Sequence, residues 1–137
     1  MAKESGLGLT LTVDDSAGTG RAITNDVLSV SWGMPSNVQD VTGLDKSAFE
    51  RLHLLADFSI NISGVFNDAA NLSFAVFKNY RTLAASQVGR TTSIAHSGQT
   101  LANEVLFTDF SHNRGADGSL PWTAPGVLAD GTVPVWA

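Results

Sequence analysis

Residues able to do acid–base or metal chemistry are few in this chain, and their spacing does not favour it. The three histidines, His53, His96 and His112, form no H-x-x-x-H pair and have no carboxylate at motif spacing, so we expect no zinc site. Serine is frequent, but no G-x-S-x-G elbow occurs. The sequence therefore predicts no catalytic residue and no cofactor or metal.

The segment DFSHNRGADG, residues 109–118, has Asp109, Ser111 and Asn113 at the alternate positions of a calcium-binding loop. The glycine that such a loop needs is displaced to Gly115, and the twelfth position is Leu120 instead of an acidic residue. We interpret the segment as a hairpin turn.

The length and the charge of the chain limit the classes of function that it can have. The 137 residues suffice for one domain, and their charged fraction of 15% is below the usual quarter, which favours a surface that is buried against partners. The net charge is −5, and the 8 Lys and Arg residues are scattered, which argues against nucleic-acid binding by phosphate neutralisation. The absence of cysteine and of a signal-like N-terminus predicts a protein made in a cytoplasm, without disulfides or a membrane anchor.

Hydrophobic periodicity predicts mostly strands. Period-two alternation or extended composition marks residues 7–13, 26–32, 39–43, 56–66, 89–98 and 100–112, and two short extended pieces within 120–136. Pro121, Pro125 and Pro134 favour edge or arm positions for those last pieces.

Two helices are predicted between the strands. Residues 44–55 carry a capping-box spacing at Ser47 and Glu50, and one helical face would hold Leu44, Ala48, Leu52 and Leu55. A shorter helix is predicted within residues 67–83, with Asp68 as its cap. The fold class that follows is mainly β: an antiparallel β-sandwich or barrel with one flanking α-helix and a second, shorter helix.

The strand over residues 56–66 has the clearest pattern. Phe58, Ile60, Ile62 and Phe66 alternate with Asp57, Ser59, Asn61 and Ser63, which predicts one core face and one polar face. Gly64 predicts a bulge or a close backbone approach in the same strand.

The stretch QDVTGLDKSAFERLHLLADFSINISGVFND resembles a signature of the major tail proteins, which form the tail tube of long-tailed, non-contractile bacteriophages. The preceding NDVLSVSWGMPS and the ending NEVLFTDF…HNRGADGSLPWTAPGVLADGTVPVW are also similar to that family, so the resemblance covers nearly the whole chain. Within that family, the chain is similar to the tail proteins of phages that infect actinobacteria.

The resemblance implies six-membered rings that stack into a tube whose lumen passes DNA without specific binding. Lumen-facing residues are then expected among Asp57, Ser59, Asn61, Ser63 and Asp109, or on the polar face of residues 100–111. Contacts between subunits or rings are expected at Glu50, Arg51, Asp14, Asp15, Arg21 and Trp136, in the N-terminal arm, in the loop 14–21 and in the tail 125–137. The residues Leu44, Ala48, Leu52 and Leu55 would then pack a helix against the outside of the sheet.

The same resemblance implies tape-measure, tail-terminator and tail-tip proteins as partners, and a place in the virion tail after assembly in the host cytoplasm. A tail terminator or baseplate ring protein of the same fold remains an alternative. A sugar-binding β-sandwich is a second alternative, because Trp32, Trp122 and Trp136 could stack on sugars if they were exposed together.

Overall fold

The computed structural model describes residues 3–137 of the chain. The strands in this range are β1 (Thr10–Asp14), β2 (Gly20–Ala22), β3 (Val27–Gly33), β4 (Ser36–Asp40), β5 (Arg51–Ala56), β6 (Ser59–Val65), β7 (Arg90–His96), β8 (Gln99–Phe107), β9 (Ser111–His112) and β10 (Pro121–Leu128). A short 3-10 helix (Thr24–Asp26) precedes β3, and the helix α1 (Ser73–Phe77) lies between β6 and β7.

Most strands belong to one antiparallel sheet folded around a single core. Its order is β2-β1-β7-β8-β10-β6-β3, and β9 pairs with the first half of β10. Leu11 near one edge, Ile62 near the other and Trp122 between them lie in the same buried cluster. Val76 and Phe77 of α1 join that cluster. The predicted mainly β, sandwich-like fold with one helix is confirmed.

Strands β3 to β6 form one long two-stranded ribbon in two parts. The β3–β6 half belongs to the main sheet, whereas β4 and β5 pair only with each other among the described strands. Only Met34 and Pro35 separate β3 from β4, and the Asp57 N–H donates to the Pro35 carbonyl over 2.9 Å where the two halves join. The β4–β5 hairpin is therefore a direct extension of the sheet beyond its core.

The helix predicted over residues 44–55 is wrong. Residues 44–50 form turns and bends, and the residues from Arg51 onward form β5. The Glu50 N–H donates to the Thr42 hydroxyl over 2.7 Å, and that hydroxyl donates to Asp40 over 2.5 Å. These bonds close a hairpin turn that includes Glu50, so the capping box predicted for Ser47 and Glu50 does not form.

The four residues expected to pack that helix are all exposed: Leu44, Ala48, Leu52 and Leu55. A short helix needs a packed apolar face to be stable in water. This segment contacts no core that could supply one, and pairing with β4 satisfies its backbone instead.

The second predicted helix exists but is shorter. It spans Ser73–Phe77, and Asp68 does not cap it. Asn71 has a positive φ of 66°, which keeps the preceding residues out of the helix. The cap comes from Asp26, whose carboxylate accepts a hydrogen bond from the Ser73 N–H over 3.1 Å.

The prolines of the last segment also lie elsewhere than expected. Pro121 and Pro125 belong to β10, which runs between β6 and β8, so the C-terminal tail begins only after Leu128. Pro125 lies where the neighbour of β10 changes from β9 to β8. A missing N–H is tolerated at such a change of partner, which explains a proline in a central strand.

Candidate assembly surfaces

The outward face of β6 is polar, as its sequence predicts. Ile60, Ile62 and Gly64 are buried, whereas Ser59 and Asn61 are exposed and Ser63 is half-buried. The pattern of the pleated strand therefore separates core from solvent at every position between 59 and 64.

Neighbouring strands continue this polar face in register. Ser63 lies between Ser29 of β3 and Thr123 of β10, and the Ser29 and Ser63 hydroxyl oxygens are 2.7 Å apart. Asn61 lies between Ser31 and Pro125. We give the name hydroxyl face to this polar surface on β3, β6 and β10: Ser29, Ser31, Ser59, Asn61, Ser63, Thr123 and Pro125. It also carries the exposed Val65 and Val127 at its ends.

The hydroxyl face carries no charge, because β3, β6 and β10 contain no Asp, Glu, Lys or Arg. It bears a shallow hollow of about 500 Å³ beside Ser31, Asn61 and Pro125. Such a surface can exchange hydrogen bonds with water or a passing polymer, but it has no group that could hold a phosphate electrostatically.

The two aspartates predicted with this face lie at its margins. Asp57 is exposed before β6 begins, and its carboxylate accepts the Phe58 N–H over 2.8 Å. Asp109 is exposed after the end of β8, and its carboxylate accepts the Phe110 N–H over 2.8 Å. Neither carboxylate therefore lies on the hydroxyl face beside Ser59, Asn61 and Ser63.

One edge of the main sheet is open, and its single irregularity is a register shift between Val27 and Ser29. Strand β3 is the last strand on its side of the order seen within residues 3–137, and its sequence VLSVSWG contains neither proline nor lysine. Leu28 on it is 71% exposed. An edge without such protection is a template for pairing with another chain.

The β4–β5 hairpin is an apolar projection. Every residue from Ser36 to Leu55 except Thr42 is exposed, including Val38, Phe49 and Leu54. Of the expected subunit contacts, Glu50 and Arg51 lie here, and the Arg51 guanidinium lies 4.7 Å from the centre of the Phe49 ring. Hydrogen bonds from the Thr42 hydroxyl and amide lower the pKa of Asp40.

Hydrogen bonds to the Asp15 carboxylate stabilise the loop between β1 and β2. Asp15 accepts hydrogen bonds from the N–H groups of Ala17 and Thr19 and from Arg21 over 3.0 Å or less. Burial opposes ionisation of Asp15, but the bonds from Thr19, Arg21 and Ala17 outweigh it and lower its pKa. Asp14 is buried, and this corrects its expected role, because a buried carboxylate is not available to a neighbouring subunit.

Trp136 lies in an open groove at the end of the chain. Its ring is 6.3 Å from that of Trp32, and the backbone of Ala137 exchanges two hydrogen bonds with Thr100, of 2.8 and 2.9 Å. We name the concavity of about 630 Å³ beside these rings the tryptophan groove; its lining includes Leu9, Trp32, Trp136, His96, Gln99 and Glu4. Trp122 is buried in the core instead, so the three tryptophans do not form one exposed sugar-stacking surface.

The histidines remain separate in the fold. His53 contacts Ser36, the His96 ring donates to the Ser5 carbonyl over 2.8 Å, and His112 packs against Phe110. The part of the chain described here contains no group of three acidic, histidine or cysteine side chains that could hold a metal. No helix within residues 3–137 is long and apolar enough to cross a membrane.

Sequence reasoning missed two buried charged residues, Asp26 and Arg90. Asp26 holds the first turn of α1 from 47 residues away along the chain, and Arg90 holds the end of α1 through Val76, 14 residues before it. The signal for Arg90 is its spacing, because strand alternation places it on the same buried face of β7 as Thr92 and Ile94. The sequence did not indicate that Asp26 is buried, because an aspartate commonly precedes a strand.

Comparisons with known proteins identify the fold. No protein-family model and no curated protein sequence matches the chain. A chain in the virion of a native gene transfer agent particle has a TM-score of 0.73 and 15% identity to it, covering 98% of this chain and 99% of that one. A chain in the tail of an empty gene transfer agent particle, refined with C6 symmetry, has a TM-score of 0.71 and 16% identity over 98% of both chains. This protein shares the fold of those tail and virion chains over almost its entire length.

Proposed function

We propose that this protein is a structural subunit of a virion tail, and that it polymerises as stacked hexameric rings into a tail tube. The observation that carries the proposal is the uncharged hydroxyl face, which extends to the open edge of β3. The likeness to a tail chain with C6 symmetry supports a ring of six.

The open edge of β3 would allow neighbouring subunits to pair and close a ring. A neighbouring chain that pairs with β3 would satisfy its free backbone groups and cover Leu28, which is otherwise exposed. Six repetitions of that contact would close the sheet into a barrel without edges. The hydroxyl face would then line the lumen.

The lumen chemistry suits transport of DNA. Serine, threonine and asparagine side chains keep a hydrated wall, and the strands that carry them have no cation to hold phosphates. The net charge of −5 opposes DNA adsorption elsewhere on the protein. The expected partners remain the tape-measure, tail-terminator and tail-tip proteins, and this role requires no enzymatic step.

Electron microscopy of the purified protein over a concentration series tests the proposal. Hollow tubes, or six-fold rings that stack, are the expected result. Rings that never stack would favour a terminator or baseplate protein, and a monomer at every concentration would contradict self-assembly. An edge variant, Leu28→Lys, should hinder ring closure without unfolding the subunit, because a lysine on an edge strand blocks pairing with another chain.

A further inference from the structure

We propose that the tryptophan groove binds a small organic cation whose ammonium nitrogen carries methyl groups. Choline is a simple soluble member of this class. The site belongs to the single subunit, so it goes beyond the tail-tube function proposed above and does not require ring formation.

Two indole rings form the wall of the groove. The rings of Trp32 and Trp136 have their centres 6.3 Å apart and their planes inclined by 57°. Both rings pack against the buried core on one side and line the groove on the other. The face of an indole ring attracts a cation that lies within about 6 Å of its centre. At this spacing and inclination, one cation can lie near both rings.

The fold holds both rings in place before any ligand binds. Trp32 lies opposite Ile60 in the β3–β6 pair. Trp136 forms a β-bridge with Leu101, and the neighbouring Ala137 is bonded to the backbone of Thr100. The groove has a volume of about 630 Å³, which is typical of sites for small molecules. A preformed wall also loses little conformational entropy when a ligand binds.

The charge of the groove favours a cation over an anion. Its lining includes the carboxylate of Glu4, and no lysine or arginine lies among the described residues that line it. The Glu4 side chain is 55% exposed, so water screens its charge and its attraction alone is weak. Together with the two indole faces, it gives the groove a negative potential that a positively charged ligand can use.

His96 positions the carboxylate without adding a fixed positive charge. Its Nε2 donates to the Ser5 carbonyl over 2.8 Å and lies 4.0 Å from a Glu4 carboxylate oxygen. Because a carbonyl oxygen only accepts, the proton of the neutral ring is on Nε2, and Nδ1 holds a lone pair. That Nδ1 is buried and has no hydrogen-bond partner among the described residues. The neutral imidazole thus holds the N-terminal segment, and with it Glu4, beside the rings.

The first test compares choline with its neutral carbon analogue, in which a tert-butyl group replaces the trimethylammonium group. The two molecules have the same shape, and only choline is charged. Titration calorimetry at about pH 8, where imidazole is ordinarily neutral, should show that choline binds at least about tenfold more tightly. Equal binding of the two would overturn recognition of the charge. Binding of glucose without binding of choline would overturn the assigned ligand class, and no binding of choline would overturn the site.

The second test places the cation in the groove. Choline should shift the indole N–H resonances of Trp32 and Trp136 in NMR spectra of the unmodified protein. The resonance of Trp122 should not move, because that ring is buried and its N–H donates to the Val65 carbonyl over 2.7 Å. A shift of Trp122 alone would overturn the location.

Two variants test the groups that attract the cation. Glu4→Gln should weaken choline binding about threefold, whereas the control Glu50→Gln, exposed outside the groove, should not change it. Trp136→Leu should weaken binding at least about tenfold. Its melting temperature must be measured as well, because the ring packs against the core. Unchanged affinity in a folded Trp136→Leu protein would overturn the site, and Glu4→Gln provides the test if that protein does not fold.

Phosphatidylcholine vesicles and choline in solution present the same cation from two sources. Sedimentation of the protein with the vesicles, blocked by free choline, would support the site and identify a lipid headgroup as its ligand. Binding of choline without sedimentation would support the site and identify a free molecule. The tail-tube function is tested separately by assembly, so normal tubes that fail to bind choline would overturn this inference alone.

Discussion

Asp26 and Arg90 hold the two ends of the helix α1 with side-chain hydrogen bonds. The Asp26 carboxylate accepts the Ser73 N–H at the first turn over 3.1 Å and the Asn67 side-chain N–H over 2.8 Å. The Arg90 guanidinium donates to the carbonyls of Val76, Asn79 (2.7 Å) and Thr82 (3.0 Å). The negative group lies at the amino end and the positive group near the carboxyl end, as the helix dipole favours.

Replacing Arg90 with methionine should destabilise the subunit by about 3 kcal/mol, because several carbonyls would lose their donor in a buried site. Arg90 is 1% exposed, so water cannot replace the guanidinium. Urea unfolding measures the loss. Arg90→Lys should recover only part of the stability, since an ammonium lacks the planar fork. Equal stability of wild type and Arg90→Met would contradict the proposed clamp.

Asp26→Asn should lower the free energy of unfolding by about 1 kcal/mol. The amide keeps one acceptor oxygen, whereas the carboxylate uses both oxygens, one for Asn67 and one for Ser73. Urea unfolding of Asp26→Asn beside Asp68→Asn distinguishes the two possible caps. Asp68 is exposed, so Asp68→Asn should not change the free energy of unfolding. A larger loss of stability for Asp68→Asn than for Asp26→Asn would identify Asp68 as the cap of α1.

Gly64→Ala should be strongly destabilising, by at least about 3 kcal/mol. A Cβ at Gly64 would clash with the Asp26 carbonyl and lie 2.8 Å from the Trp122 ring. Gly33→Ala is the matched control in the adjacent strand, because nothing lies within 4 Å of its added Cβ. Thermal melting of both variants checks the difference, and similar melting temperatures would refute the close approach.

Acid should weaken the β1–β2 hairpin through Asp15. The pKa of Asp15 in the folded protein lies below its ordinary value of 3.8, so the carboxylate stabilises the fold above that pH. The contribution is lost as the pH falls through the lower folded pKa. Hydrogen exchange of the Ala17 and Thr19 amides should accelerate in this window, after correction for intrinsic rates. Asp15→Asn should remove the acid dependence, and an unchanged profile would exclude Asp15 as its source.

Asn61→Lys should leave tube assembly intact but slow the passage of DNA. Asn61 is exposed on the hydroxyl face, and a ring of six would place six new cations around the lumen that bind phosphates. Asn61→Gln is the control, because it keeps the amide without adding charge. Particles carrying each variant can be compared by infectivity. Normal infectivity of Asn61→Lys particles would remove this face from the lumen.

The sequence alone determined the features that depend on local pattern. Alternation in residues 59–64 separated core from polar face, and Gly64 marked both the close approach and the register shift opposite it in β3. Most strands of the main sheet were predictable, but β5 was predicted as part of a helix, β2 lies at the end of a predicted loop, and the strand ends were not predictable. Strand β1 begins at Thr10 and not at Leu7, because Gly8 adopts a left-handed φ of 89°.

Only the tertiary structure decided the features that depend on distant partners. Leu44, Leu52 and Leu55 fit a helical period, yet β4 satisfies the backbone of this segment and no core covers its side chains. The cap of α1 comes from Asp26, 47 residues from Ser73. Pairing and burial outweigh local propensity wherever a short segment has no apolar surface of its own to pack against.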